Sequence, residues 1–423
     1  MRLIKRREFL AGAALATGGM LLTTGIAFAG SGTGRRFVFV ILRGALDGLA
    51  AVPPYGDADY ARLRGEVALA APGAPRGALQ LDGLFGLHPS LAFLHESFDA
   101  HELVVFHAIA TPYRERSHFD GQDVLENGCA RAHAVQTGWI NRALAALPAN
   151  HAVRRGELGI ALGQNVPLVM RGPAPVASWS PSHLAALDED TLQRITDRYS
   201  TDALLSQRLA DALATQAVAS AALDEPLMQG AADERAPAQS LAQREAGNIR
   251  RGAPYKEIIH ATAGFLRSDD GPRVAVFDAS GWDTHANEGG AEGQLSARLA
   301  GLDAGLRTLK EELGPVWRDT AVMVVTEFGR TAAVNGTRGT DHGTAAAAFL
   351  LGGAVDGGRV IAKWPGLSAR ALYQGRDLAP TLDLHSILKG LLADHLQVPT
   401  RALETSVFPD SAAVKPLRGL VRA

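Results

Sequence analysis

The stretch from Thr320 to Gly343 constrains the fold of this chain more than any other. It begins with a β-branched apolar run, Ala321 to Val325, and then changes to glycines, carboxylates, arginines and one histidine. A short, continuously apolar run of this kind is typical of a strand that is buried on both faces of a sheet. We therefore predict a central parallel strand that delivers a polar loop at its carboxyl end, the edge where open α/β sheets bind ligands.

This polar loop contains an adjacent acid and imidazole, Asp341 and His342, with Gly339 and Gly343 on either side. A carboxylate oxygen and an imidazole nitrogen are ligands of divalent metals, and glycines leave the backbone free to bend. The alternative is an Asp hydrogen-bonded in a turn beside a solvent-facing His. The pair alone does not decide between the two readings.

Two other apolar runs, Arg35 to Leu42 and Arg273 to Phe277, predict buried strands that also end in candidate ligands. Asp47 follows the first run in a glycine-flanked loop, where an Asp that bonds its own backbone is an equal reading. Asp283 and His285 follow the second run. Because they are two residues apart in an extended segment, both side chains leave the same face and can reach one ion, although an incidental loop Asp and His would look the same.

The loop after the predicted strand Leu103 to His107 is the remaining polar cluster. Ser117 stands where a helix begins, so capping of the helix explains it. A hydroxyl at a helix N-terminus also feels the positive end of the helix dipole, and with Arg114 and Arg116 nearby it could attack or bind an anion. Both readings can hold at once, and the role of the neighbouring His118 stays open.

Four strands that each end in carboxylates or histidines predict an α/β fold, because a parallel sheet gathers such ends along one edge. We expect a doubly wound, mostly parallel sheet with helices on both faces, forming a single domain over residues 30–423. The stretch at about 183–267 is rich in helix-forming residues and predicts a helical insertion, either a cap or an outer layer. Further short strands are predicted at Leu158 to Leu162, Leu168 to Met170, Ala345 to Leu351 and Arg359 to Ala362.

Residues 1–29 have the pattern of an export signal, with basic residues before an apolar run that ends in an A-x-A cleavage site. The paired Arg6 and Arg7 resemble the twin-arginine signal, whose machinery exports folded proteins. We therefore expect a periplasmic or otherwise exported protein that keeps no membrane span after cleavage. A retained membrane anchor is the alternative.

Charge and cysteine content exclude several classes of site. Removing a signal with four basic residues and one acidic residue takes the formal charge from −2 to −5, so no surface for nucleic acid is implied. Cys129 is the single cysteine, so the fold cannot depend on an internal disulfide, and zinc-thiolate sites are excluded. The sequence leaves the oligomeric state open.

Seven segments resemble the exported bacterial family known as domain of unknown function 1501: LRGALDGL, FGLHPSL, TPYRERSHFDGQD, GWINRAL, DTHANE, TEFGRT and GTDHG. The resemblance extends over nearly the whole mature chain. That family is grouped by similarity with the alkaline phosphatase and sulfatase superfamily. The grouping implies an alkaline phosphatase-like α/β domain and a site that usually holds one or two divalent metals.

The superfamily pattern also implies roles for individual residues. Asp47 matches the Asp after the first strand, Ser117 the nucleophile position, and Asp341 with His342 the later Asp-His pair. Asp283 and His285 match less well, because the superfamily commonly separates that Asp and His by three residues. The expected final His ligand has only a weak candidate in His385.

The sequence indicates two candidate functions. The first is a metal-dependent hydrolase of phosphate or sulfate esters, acting on a small anionic ester or an exported polymer. The second is a non-catalytic exported binding or assembly protein with a degenerate site; a redox enzyme is suggested only by the signal. For the hydrolase, the predicted catalytic residues are Ser117, Arg114 and Arg116, and the predicted ligands of zinc, manganese, magnesium or calcium are Asp47, Asp283, His285, Asp341 and His342.

Overall fold

The structure is a computed structural model that describes residues 34–147, 158–181, 255–269 and 271–422, together with positions 195, 196, 198, 199, 202, 204–207, 209, 210 and 213. The predicted export signal and most of the predicted helical insertion at about 183–267 lie outside the described residues. At the end of that range, one amphipathic helix, Lys256–Arg267, is described.

A mostly parallel sheet forms the centre of the molecule, as predicted, and it has nine strands among the described residues. Its strands are β1 (Arg36–Arg43), β4 (Leu103–Ala110), β5 (Gly159–Leu162), β6 (Val176–Trp179), β7 (Val274–Ser280), β8 (Thr320–Thr326), β9 (Ala346–Leu351), β10 (Arg359–Ile361) and β11 (Leu382–Asp383), while β2 (Leu79–Gln80) and β3 (Gly86–Leu87) form a separate antiparallel pair. The strand order is β10-β4-β9-β8-β1-β7-β5-β6, and β11 also pairs with β4. Each pair of neighbours is parallel except the two pairs made by β9, which runs antiparallel to β4 and β8.

Three short elements differ from the sequence prediction. Leu168–Met170 is a 3-10 turn rather than a strand, and Val176–Trp179 is a strand that was not predicted. Proline at position 167 precedes the 3-10 turn, and a three-residue apolar run cannot distinguish the two conformations. Leu382–Asp383 is a short strand that was not predicted, and Asp383 also caps the helix Leu384–Asp394 by accepting from the backbone N–H of His385 at 2.8 Å.

Alternating side chains explain why the central strands are apolar throughout. In β1, Val38 and Val40 pack into one hydrophobic layer, whereas Phe37 and Phe39 pack into the layer on the opposite face. Helices cover both layers. Among the described residues, the α-helices with defined bounds are α1 (Gly48–Ala51), α2 (Tyr60–Arg64), α3 (Ala92–Asp99), α4 (His118–Asn127), α5 (Trp139–Ala146), α6 (Lys256–Arg267), α7 (Gln294–Leu313), α8 (Leu384–Asp394) and α9 (Thr400–Ala402).

Helices α3, α6 and α7 pack on the first layer, and α5 and α8 pack on the second. The predicted doubly wound arrangement, with helices on both faces, is therefore present in the described residues. Within that part of the chain, none of the helices combines the length and apolar character needed to cross a membrane.

Candidate functional site

The loops after β7 and β8 and the start of α4 meet at the carboxyl edge of the sheet. The β8 loop folds back on itself through an antiparallel bridge between Arg330 and His342. Two glycines allow this close approach. A Cβ atom at Gly343 would lie 2.3 Å from the carbonyl oxygen of Arg330, and one at Gly339 would lie 2.4 Å from the carbonyl oxygen of His285. Glycine is therefore needed at both positions because the loops pack closely, and not because the backbone has a positive φ.

Three side chains form a group whose ligand atoms all lie within 4.8 Å of one another: His118, Asp283 and His342. The Nε2 atoms of His118 and His342 are 2.9 Å apart. The Asp283 carboxylate approaches both rings, with Oδ1 3.2 Å from Nε2 of His342 and Oδ2 3.5 Å from Nε2 of His118. Two of these residues were predicted as ligands, and His118 was left without a role.

Each ring of the group has its other nitrogen, Nδ1, against a hydrogen-bond acceptor. Nδ1 of His118 lies 2.7 Å from Oε1 of Glu327, and Nδ1 of His342 lies 2.9 Å from the carbonyl oxygen of Arg116. Because a carbonyl or ionised carboxylate oxygen can only accept, each Nδ1 carries the proton. In its neutral form each ring therefore presents an Nε2 lone pair to the group, which is how metal-ligating histidines are held in proteins.

Hydrogen bonds favour the ionised form of Glu327. It is 1% exposed, and burial alone would raise its pKa, but hydrogen bonds from His118, Gln122 and the Gly44 backbone outweigh burial and lower the pKa. The Gln122 amide donates at 3.1 Å and the Gly44 N–H at 2.9 Å. Glu327 thus acts on the group through His118, whose own pKa is raised, chiefly by its hydrogen bond to this carboxylate.

Two facing Nε2 lone pairs beside a carboxylate need a positive charge between them. A proton on His118 can satisfy one contact, whereas burial lowers the pKa of His342 and keeps that ring neutral. A divalent cation satisfies all three donors together. Zinc–nitrogen bonds of about 2.0–2.1 Å imply ligand atoms roughly 3.3 Å apart in a tetrahedral site, and the separations of 2.9 to 3.5 Å in this group fit that spacing.

Arg330 is a second source of positive charge at the group. Its Nη1 donates to Oδ1 of Asp283 at 2.6 Å, and the Thr340 backbone and hydroxyl hold the rest of the guanidinium. Burial would raise the pKa of Asp283, but the hydrogen bond from Arg330 outweighs it and lowers the pKa. Asp283 is therefore an ionised carboxylate with one oxygen bound by Arg330 and the other facing His118.

The predicted ligands His285 and Asp341 adjoin the group. Nε2 of His285 lies 3.0 Å from Nε2 of His342 and 3.0 Å from Oδ1 of Asp283. Its Nδ1 lies 3.2 Å from Oδ1 of Asp341, so Asp341 holds His285 as Glu327 holds His118. A hydrogen bond from Asn335 is the main reason that the pKa of Asp341 is lowered.

The structure does not bring Asp47 into this group. Asp47 is buried, with Oδ1 capping α1 through the N–H of Ala50 and Oδ2 2.6 Å from Nη2 of Arg64. Glu288 lies 3.3 Å from the same Nη2, so two buried carboxylates share one guanidinium. Burial, together with the charge of Asp47, raises the pKa of Glu288 well above its ordinary value.

Ser117 precedes α4, but its hydroxyl makes no capping hydrogen bond. Its backbone N–H donates to the Tyr113 hydroxyl at 3.0 Å instead. Ser117 nevertheless lies at the site, because the preceding carbonyl binds His342 and the following residue is His118. Ser117 therefore occupies the N-cap position, as predicted, but without the side-chain capping bond, and its nucleophilic role stays a prediction.

The two arginines before Ser117 are bound to other partners. Nε of Arg116 donates to the buried carboxylate of Asp377 at 2.8 Å, and Nη2 donates to Gln374 at 2.6 Å. Arg114 donates to the backbone carbonyls of Thr111 and Tyr113. The contribution of Arg116 to the site is its carbonyl, which a backbone φ of 61° turns towards His342.

Sequence reasoning missed His118 as a member of the group and Glu327 as its support. The available signal was position: both follow strands, β4 and β8, whose carboxyl ends meet at the site. His385, the weak candidate for a final ligand, is 3% exposed and packs against Phe408 with ring centroids 5.0 Å apart. The structure does not bring it into the group.

The comparisons with known proteins identify a family. The family model described as "Protein of unknown function (DUF1501)" matches residues 105–406, well over half of the chain, which confirms the family predicted from the motifs. A crystal structure of Ps i-CgsB in complex with k-i-k-neocarrahexaose is similar over 90% of this chain and 77% of that chain, with 10% identity and a TM-score of 0.34. At that distance nothing about activity carries over. No curated protein matches the chain.

Proposed function

This chain belongs to the DUF1501 family of proteins of unknown function, and we propose that it is an exported, metal-dependent hydrolase of phosphate or sulfate esters. One observation carries the proposal. His118 and His342 present Nε2 lone pairs to each other and to the Asp283 carboxylate, while their Nδ1 atoms are held by fixed acceptors. Three protein ligands that leave a coordination position open are typical of catalytic rather than structural metal sites.

The donor set favours zinc among the metals considered. Imidazole nitrogen suits zinc and related transition metals, whereas magnesium and calcium prefer oxygen ligands. His285 contacts two members of the group at 3.0 Å, so the open position is one that either His285 or an ester oxygen could occupy. A bound divalent cation would supply a Lewis acid that polarises an ester oxygen.

The residues around the group would bind and attack the ester. The N-terminus of α4 presents backbone N–H groups and the positive end of a ten-residue helix to an anion at the site. We assign anion binding to this helix end, because the guanidinium groups of Arg114 and Arg116 are bound elsewhere. Ser117 is the proposed nucleophile, since its hydroxyl is not used for capping and its two neighbours both contact the group.

Two ion pairs favour the second function, a non-catalytic exported binding or assembly protein. Arg330 binds Oδ1 of Asp283 at 2.6 Å and supplies positive charge where the metal would lie. Asp47, the superfamily-implied ligand, is bound by Arg64. A site whose carboxylates are bound by arginines in this way would keep its geometry without a metal. It would not catalyse ester hydrolysis.

The relation to the alkaline phosphatase and sulfatase superfamily belongs to the same proposal. It is supported by the mostly parallel α/β sheet and by the gathering of polar side chains at its carboxyl edge. Twin-arginine export is likewise proposed, from Arg6 and Arg7 in residues 1–29. Replacing both arginines with lysine should leave full-length precursor inside the cell, and normal export of that variant would contradict the proposed pathway.

Metal analysis of the purified mature chain tests the main proposal. We expect close to one zinc per chain, hydrolysis of p-nitrophenyl phosphate or p-nitrophenyl sulfate, and loss of both in His342→Ala. Ser117→Ala should keep the metal and lose several orders of magnitude in turnover. The conservative Ser386→Ala, which removes a hydroxyl bonded to Lys415 away from the group, is the matched control. Bound metal with no turnover of either ester would favour the binding protein, and absence of metal would end the hydrolase proposal.

A further inference from the structure

A cleft of about 1090 Å³ lies against α4, and Gln122 connects it to the metal group. The Gln122 amide donates to Glu327, the carboxylate that holds His118, and the Gln122 carbonyl accepts from Arg43 at 3.0 Å. Gln122 thus forms a wall of the cleft and supports the group at the same time. A cleft of this size can bury a ligand of several rings.

An apolar ring stands at this cleft. Phe119 follows His118 directly in α4 and is 86% exposed. Within the part of the chain that the structure describes, the other exposed large apolar side chains are Leu204, Leu205 and Leu213, none of which lines the cleft. An exposed aromatic face next to a proposed metal ligand suits a flat ligand ring that stacks on it.

Three carboxamides of the cleft have no hydrogen-bond partner among the described residues. They are Gln136, Gln164 and Asn165, and all three are exposed. A carboxamide both donates and accepts, and so does a hydroxyl group. Carboxamides beside an aromatic face therefore match a ligand that carries many hydroxyl groups on rings with apolar C–H faces.

The charges that line the cleft do not favour an anionic ligand. Arg43 is bound by Glu126 at 2.9 Å and by Asp278 at 3.0 Å, so its charge is already compensated. Counting Arg171 and Asp123 as well, the cleft has two arginines against three carboxylates. The cleft therefore offers an anion no excess of positive charge, and its free carboxamides suit a neutral ligand.

We propose that this cleft is a saccharide subsite, in which a neutral sugar ring stacks on Phe119 and its hydroxyl groups bond to Gln136, Gln164 and Asn165. The inference rests on the proposed function in one respect: the saccharide would carry the phosphate or sulfate ester that reaches the metal group. The substrate class is then an esterified oligosaccharide or polysaccharide. Binding of the neutral part needs no metal.

Calorimetric titration of the mature chain with neutral oligosaccharides tests the subsite. The probes are maltohexaose, cellohexaose, mannohexaose and galactohexaose, each with its disaccharide for comparison. We expect at least one hexaose to bind more tightly than its disaccharide, with affinity unchanged by a chelator. Phe119→Ala should weaken binding by roughly tenfold or more and Phe119→Trp should restore it, because an aromatic contact contributes on that scale.

Matched variants separate the subsite from general surface effects. Asn165→Ala should weaken binding, whereas Gln80→Ala, at an exposed glutamine outside the cleft, should leave it unchanged. Absence of binding by every probe, or binding that Phe119→Ala does not change, would overturn the subsite. Saccharide binding by a chain that holds no metal and cleaves no ester would refute the proposed function and leave the subsite standing.

Discussion

Two sets of histidines in this molecule occupy opposite environments. The site histidines, His118 and His342, have side chains 23% and 27% exposed, and their Nε2 atoms face one another. The core histidines, His107 and His395, are fully buried. In the core set Nε2 donates to a backbone carbonyl, that of Val52 at 3.0 Å for His107 and that of Arg36 at 2.7 Å for His395.

The difference between the two sets shows which ring nitrogen distinguishes a candidate metal ligand from a structural histidine. In the core set Nε2 is used for a structural hydrogen bond, so no lone pair is presented to a ligand at that atom. In the site set Nδ1 is used instead, which frees Nε2 of each ring for the same point in space. Burial of a histidine is thus a weaker guide to a metal site than the partner of its second nitrogen.

The largest expected effect tests the core set. Burial lowers the pKa of His107 and of His395 from 6.5 to about 4. Between these pH values the unfolded chain binds a proton that the folded chain does not, so stability falls as pH falls from about 6.5 to about 4. Each histidine should contribute about 3 kcal/mol to this loss, measured as the free energy of unfolding in urea with a chelator present.

His107→Gln removes one of the two contributions. The variant is expected to be less stable at pH 7.5 but to lose about 3 kcal/mol less than the wild type on acidification. Phe85→Leu provides the matched control, since Phe85 packs on His107 with ring centroids 5.3 Å apart but does not titrate. A pH dependence identical in wild type and His107→Gln would contradict a neutral buried ring.

The next effect tests the site set. Zinc binding in sites with four protein ligands is worth about 10–16 kcal/mol, so one ligand is worth about 3 kcal/mol, or roughly 100-fold in affinity. We expect at least that loss for His118→Ala and His342→Ala by competition with a chromogenic chelator. His285→Ala should lose less if three ligands suffice.

The control for this series comes from the core. His107→Gln should bind metal with unchanged affinity, because its ring is fully buried and its nitrogens bond to the backbone. Equal losses in His107→Gln and His342→Ala would mean that metal affinity reports general stability rather than ligation. That result would remove the distinction between the two sets.

The comparison also clarifies what the sequence could predict. Continuous apolar runs predict the central strands, since each has side chains in both hydrophobic layers. The direction of β9 was open to prediction as well: no helix separates β8 from β9, and a parallel connection needs one. Which Asp belongs to the site could not be predicted, because Asp47 and Asp283 both follow strands in glycine-containing loops. Only their tertiary contacts distinguish them.

Those tertiary contacts are arginines from distant segments. Arg64 in α2 binds Asp47, whereas Arg330 after β8 binds only one oxygen of Asp283 and leaves the other facing His118. Nothing local to either Asp indicates which arginine will reach it. His118 was missed for a related reason: its partner Glu327 lies 209 residues away.

A smaller effect should follow from removing the carboxylates that hold the rings. Glu327→Gln and Asp341→Asn keep an acceptor for Nδ1 but remove the charge, and loss of such outer partners weakens metal affinity by about 10–100-fold. We expect the larger loss for Glu327→Gln, because Glu327 is 1% exposed and Asp341 is more exposed. Affinities unchanged in both variants would show that the rings are held by packing alone.

The smallest expected effect concerns Ser117, the residue directly before His118. A capping serine replaced by alanine costs about 0.5–2 kcal/mol of stability. The Ser117 hydroxyl makes no capping bond, and its segment is held by the Tyr113 hydroxyl and the Arg116 carbonyl instead. Ser117→Ala should therefore lower the free energy of unfolding in urea by less than about 0.5 kcal/mol. Tyr113→Phe removes the bond to the Ser117 backbone and should lower it by about 1 kcal/mol. The reverse order would mean that the hydroxyl caps α4 in solution, and Ser117 would then lose the feature that makes it available as a nucleophile beside His118.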